Sequence, residues 1–189
     1  MRFNFDEDHL MFQRSVRDFL AAQCTPESMR TLWDDDSGRS SERWAKLAEL
    51  GLLGILVPAE HGGLGMGEVD FVLPLEETGR AALPEAIVET AAVAAPLIAE
   101  AGDAELAARW LPLIASGDAV VAVGHPINPT VADAHVADLL LLPGGPTFGI
   151  YHDDFHASHA LLAPPVTFVA VAGWCAVTAG CWRWVGRDR

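Results

Sequence analysis

The sequence predicts a mainly α chain in which an all-α helical region, residues 1–117, is followed by a partial β region, 118–150, and an atypical apolar tail, 151–189. Three observations carry this reading. Apolar residues recur at helical spacing from Asp6 to Ala115. Serine, proline and glycine punctuate that stretch where helices begin and end. At Ala119 the texture changes to short β-branched runs separated by glycine and proline, beginning with AVVAV and resuming as VADLLLL from Val136.

Each element follows in order. Asp6 to Ala22 predicts an amphipathic helix with Phe12, Val16, Phe19 and Leu20 on one face. Pro26 opens a second segment that Met29, Leu32 and Trp33 are expected to dock. Asp34, Asp35, Asp36, Ser37 and Gly38 form a polar loop; the calcium-loop pattern with its late glutamate is absent, so a solvated loop is the reading. Ser40 and Ser41 are N-cap candidates for a helix through Leu50 that turns Trp44, Leu47 and Ala48 inward. Gly51 suits the residue after that helix, and the uncharged run Leu52 to Val57 must be buried. Glu68 to Ala82 predicts a helix with Pro74 kinking it or setting an early start. Pro84 fits the first turn of the next helix, to about Glu100, whose alanines allow close packing or leave room for a ligand. Asp103 caps a last helix to Ala115 that buries Trp110, Leu111 and Ile114.

Composition narrows the function. The chain has 189 residues, 51% of them hydrophobic, with a net charge of −14, so no basic stripe is present to displace counterions from a nucleic acid. The same charge disfavours adsorption to an anionic membrane. Cys24, Cys175 and Cys181 are an odd, sparse set that fits a reducing cytoplasm. The acidic N-terminus is no secretory signal. Gly62, Gly63, Gly65 and Gly67 suggest a nucleotide loop, but Asp70 stands where the third glycine of G-x-G-x-x-G belongs, and no GK[ST] follows. A tight structural turn is the better reading.

The segment from Leu50, LGLLGILVPAEHGGLG, resembles the "lGl.g..vPeeyGGlG" signature of acyl-CoA dehydrogenases. The likeness extends to Leu75–Arg80 ("eElgr"), Ala95–Ile98 ("gapli") and Asp103–Gly117 ("lp.lasGe"), in the family's order. It implies a helical N-terminal domain followed by a β domain. It also implies a reaction: FAD-dependent α,β-dehydrogenation of an acyl-CoA thioester, in fatty acid or sterol degradation, by a cytoplasmic homo- or hetero-oligomer. The family's base is a carboxylate from a C-terminal helical domain. The chain ends before that domain, so no catalytic residue can be transferred, and a truncated product not active alone is the expectation. The rival readings are a non-catalytic partner subunit of a heteromeric dehydrogenase and an inactive truncated product.

Residue by residue, the resemblance places the acyl-pocket lining at Val88, Glu89 and Ala92, with Val88 and Ala92 one turn apart on one face and small enough for a bulky acyl group. Helix–helix packing is an equal reading. The family's "TEp.aGSD" flavin stretch falls on Val123 to Thr130, which lacks the Thr-Glu pair and the Gly-Ser-Asp triplet. Its polar candidates are His125, Asn128 and Thr130, for which turn chemistry is the simpler account. His152, His156 and His159, with Asp153 and Asp154, have helical spacing, but a metal site is not assigned. Ala157 to Trp182 carries no Asp, Glu, Lys or Arg. A divergent or frame-shifted tail, a pair of buried strands and a membrane span all remain open for it.

Overall fold

The computed structural model describes residues 5–35, 37–100, 104–125, 130–144 and 147–152. Helix α1 (Glu7–Gln23) starts at Asp6, whose carboxylate accepts from the His9 amide. Helix α2 (Pro26–Leu32) has Thr25 as its cap and proline in its first turn. Helix α3 (Ser41–Glu49) is capped by Ser40, which accepts from the Arg43 amide, and it closes at Gly51 with φ 81°. Helix α4 (Glu68–Arg80) begins where Asp70 accepts from the Gly67 amide at 2.8 Å, and Pro74 sits inside it. Trp33 departs from the expectation. It is 80% exposed, because α2 ends at Leu32 and the chain turns outward into the acidic loop.

The helix expected from Pro84 is different in kind. Residues 83–86 are irregular, and Val88–Ala94 form a π-helical segment that passes into α5 (Ala95–Glu100). Helix α6 (Ala104–Ser116) follows, and Gly117, with φ 80°, closes it. Trp44 of α3 donates its indole N–H to the Gly117 carbonyl at 3.0 Å, tying α3 to the end of α6.

Strands β1 (Val121–Val123), β2 (Leu139–Gly144) and β3 (Thr147–His152) form one sheet in that order. The β1–β2 pair is parallel, with Val121 opposite Leu139, and β2–β3 is antiparallel. Both faces of β1 and of Leu139 to Leu142 in β2 are covered, which explains the unbroken apolar run in β2. Leu139 and Leu141 face a core with Ile98, Trp110, Leu111, Ile114 and Val121, whereas Leu140 and Leu142 pack with Ala122 and Ala134. A second core joins Val16 and Leu20 of α1 to Trp44, Leu47, Leu52, Ile55 and Phe71. The π segment bridges the two cores: Ala91 belongs to the second and Ala94 to the first. Among the described residues no helix is long and apolar enough to cross a membrane. His152, expected in a helical spacing with His156 and His159, instead ends β3; residues 153–189, with the rest of the metal reading and all three readings of the tail, lie outside the described residues.

Candidate functional site

The glycine-rich turn is built by close approach of the main chain to itself. The amides of Leu64, Gly65 and Met66 donate to the carbonyls of Gly54, Val57 and Ile55 at 2.8, 2.8 and 2.9 Å, folding the turn back on the buried run. A Cβ on Gly63 would lie 2.1 Å from the Val57 carbonyl oxygen, so that position admits only glycine. The motif is thus satisfied by its own chain.

The π segment is the better-placed feature. It lies along β1, and its hinge residue is Thr90, which is fully buried. The Thr90 hydroxyl donates to the Val121 carbonyl at 2.9 Å and accepts from the Val121 amide at 3.0 Å. Val120 accepts from Leu139 on the β2 side, so by strand alternation the groups of Val121 point to the opposite edge, which Thr90 covers. On the outer side, Val88 and Val93 are 47% and 41% exposed, while Glu89 and Ala92 are half-buried. The structure therefore keeps Val88, Glu89 and Ala92 on one short segment, but pairs Val88 with Val93 on its exposed side.

Two polar connections secure the surroundings. Just before the π segment, Glu85 Oε1 meets Arg43 Nε at 3.3 Å and accepts from the Ser40 amide at 3.2 Å. Both side chains are nearly inaccessible, and Glu85 Oε2 has no partner among the described residues. Burial pushes the Glu85 carboxyl above its ordinary pKa, against the pull of Arg43. Farther on, Asp133 takes a left-handed backbone (φ 59°) and pairs with Arg39, and the His135 ring contacts the Ser37 carbonyl at 3.0 Å. These bonds hold the connection before β2 against the α2–α3 loop. Beside them a cleft of about 460 Å³ is lined by Met29, Leu32, Trp33, Arg39, Pro84 and His135. Asp133 already neutralises the cleft's Arg39.

Gly124 ends the ladder by donating to Leu141 at 2.8 Å; His125 and Thr130 lie exposed on either side of residues 126–129. Asn128 falls outside the described residues. Exposed flanks of this kind do not enclose an isoalloxazine ring, so the described residues do not fit a flavin cradle. Among the described residues no group of three His, Cys, Asp or Glu side chains converges on a metal-sized position. Sequence reasoning missed Thr90, Arg43 and Glu85. The available signals were a hydroxyl in an alanine-rich segment and charges on faces otherwise apolar.

Comparison with known proteins gives a consistent set. The family model described as "Acyl-CoA dehydrogenase, N-terminal domain" matches residues 6–118. "Probable acyl-CoA dehydrogenase YngJ" of Bacillus subtilis is 28% identical over 177 residues, covering 92% of this chain and 46% of that protein. The chain thus spans about half the length of the curated relative. Among solved structures, the ChsE4–ChsE5 complex from Mycobacterium tuberculosis aligns with TM-score 0.70 and 25% identity over 80% of this chain and 48% of the other. An acyl-CoA dehydrogenase complexed with FAD from Bacillus anthracis shares the fold, with TM-score 0.62 and 23% identity over 80% and 32% of the two chains.

Proposed function

The chain belongs to the acyl-CoA dehydrogenase family, and on that premise we propose that it serves the FAD-dependent α,β-dehydrogenation of an acyl-CoA thioester. Its own part is the helical wall of the acyl pocket. The observation that carries this is the π segment: the family domain matched at 6–118 includes it, and it sets apolar, partly open side chains beside β1. We place the wall at Val88, Glu89 and Ala92, with residues 1–117 as the helical domain and 118–150 as the start of the β domain. The valine and alanine of such a wall hold an alkyl chain by burial, at about 25 cal/mol per Å² of apolar surface removed from water. That binding orients the thioester and excludes water from it. We assign no catalytic base to this chain; in the family that carboxylate comes from a C-terminal helical domain.

His125 and Thr130 are exposed, and the stretch Val123 to Thr130 lacks the family's Thr-Glu pair and Gly-Ser-Asp triplet. That observation favours a second reading, in which the chain is a non-catalytic subunit that completes another subunit's site. A fold likeness to the ChsE4–ChsE5 complex is compatible with it. One experiment separates the two: the visible flavin absorption of the purified chain, alone and co-expressed with its genomic neighbour. A flavin band in the chain alone supports the first reading, and a band only with the neighbour supports the second. No band in either preparation, with no acyl-CoA binding by calorimetry, refutes both.

A further inference from the structure

We propose that Thr90 is a positioning residue that fixes the π register of residues 88–94 and so selects which side chains meet the acyl group; this rests on the acyl-wall reading above. Thr90 stands where the hydrogen-bond pattern changes. Its amide donates four residues back, to Ala86, at 3.0 Å, whereas its carbonyl accepts from Ala95, five residues on. Its side chain is committed on both lone pair and proton to the main chain of Val121. The widened turn is therefore anchored to β1 at its midpoint. A π turn relaxes to the commoner α turn unless something holds it.

The register decides the wall. The wider π turn brings Val93 round toward Val88, beside Ala92, and both valines are exposed. In an α-helix the same two valines would be about 140° apart, leaving Ala92 alone next to Val88. The π register thus adds a second β-branched side chain to a face where the α register presents one valine and one alanine. The first narrows the wall and favours straight acyl chains; the second leaves room for branched or bulky ones.

The test uses the full chain as wild type, Thr90→Val, Thr90→Ser and Val93→Ala. Dissociation constants for butyryl-, octanoyl- and isovaleryl-CoA are measured by calorimetry, and amide exchange at Val121 and Ala95 by NMR. Thr90→Val should speed exchange at both amides and shift the branched-to-straight affinity ratio at least tenfold, with Thr90→Ser close to wild type. Val93→Ala, at an exposed position that does not endanger folding, should move the ratio in the same direction without changing exchange at Val121. A ratio unmoved in both Thr90→Val and Val93→Ala, in a protein that binds acyl-CoA, overturns the selection while leaving the acyl wall standing. Wild type that binds none of the three thioesters overturns the wall, and the selection with it.

Discussion

Replacing Arg43 by methionine removes the cation that pairs with a carboxylate with almost no access to water. Arg43 and Glu85 side chains are 5% and 2% exposed, and Arg43 Nε lies 3.3 Å from Glu85 Oε1. After the substitution Glu85 keeps the Ser40 amide, at 3.2 Å, and the weaker pull of Arg39, while its second oxygen has no partner among the described residues. Breaking a buried pair from one side typically costs about 3–5 kcal/mol. Here a limit applies, since Glu85 can take up a proton, and burial already raises its pKa in the intact protein. Neutralising it costs about 1.4 kcal/mol per pH unit between the solution pH and its folded pKa. The loss should therefore be about 3 kcal/mol at neutral pH and shrink as the pH falls. The sign follows from linkage: a carboxyl with a raised folded pKa makes the folded state the better proton binder, so its contribution to stability declines as pH rises from the unfolded value through the folded one. Urea unfolding at several pH values measures this directly. The double variant Arg43→Met with Glu85→Met should lie closer to wild type than Arg43→Met alone. A single substitution costing less than about 1 kcal/mol at every pH, or a double variant worse than the sum of its singles, would refute the reasoning.

Three further outcomes are expected. Gly63→Ala should cost upwards of about 3 kcal/mol or prevent folding, because its Cβ would strike the Val57 carbonyl; Gly67→Ala, with ordinary φ and its nearest atom 3.6 Å away, should stay within about 0.5 kcal/mol, and thermal melts of the pair check the contrast. Glu77 carries the opposite pH sign from Glu85: Arg17, at 2.7 Å, holds its pKa below the usual range, so its stabilisation is present above the unfolded pKa and lost as pH falls through the folded one. Glu77→Gln should remove that acid-limb loss in pH-dependent urea unfolding, and an unchanged limb would count against it. Trp44→Phe should lose about 1 kcal/mol in equilibrium unfolding with the bond to Gly117, and no loss would show that α3 and α6 are joined by packing alone.

What the sequence made legible is what periodicity and punctuation encode. Val16, Leu20, Leu47 and Ile114 are buried as their spacing requires, and Ser40 and Gly51 end α3 where capping chemistry puts them. Family motifs carried the fold further than periodicity could, since the pairing of β1 with β2 is parallel and spans a long connection. The π segment was not legible. Nothing in VETAAVA favours five-residue bonds over four; the choice is made by Thr90 finding the open edge of β1, a contact across 31 positions. Arg43 and Glu85 were missed because a charge reads as solvated until its partner is known. Trp33 was misplaced because an aromatic at helical spacing reads as core, although its helix stops one residue before it.

The coupling of α1 to α4 has a kinetic consequence. Gln13 and Arg17 reach Glu77 across 64 and 60 positions, and His9 reaches Asp70 at 2.8 Å. At a synthesis rate of about 5–20 residues per second, the first helix waits several seconds on the ribosome before the surface that secures it has been made. Over that interval Val16 and Leu20 have no complete core to enter, so the first helix is anchored only once α4 has been made. Slow translation through residues 50–80 would lengthen the wait and raise the demand for a chaperone that holds an apolar helix.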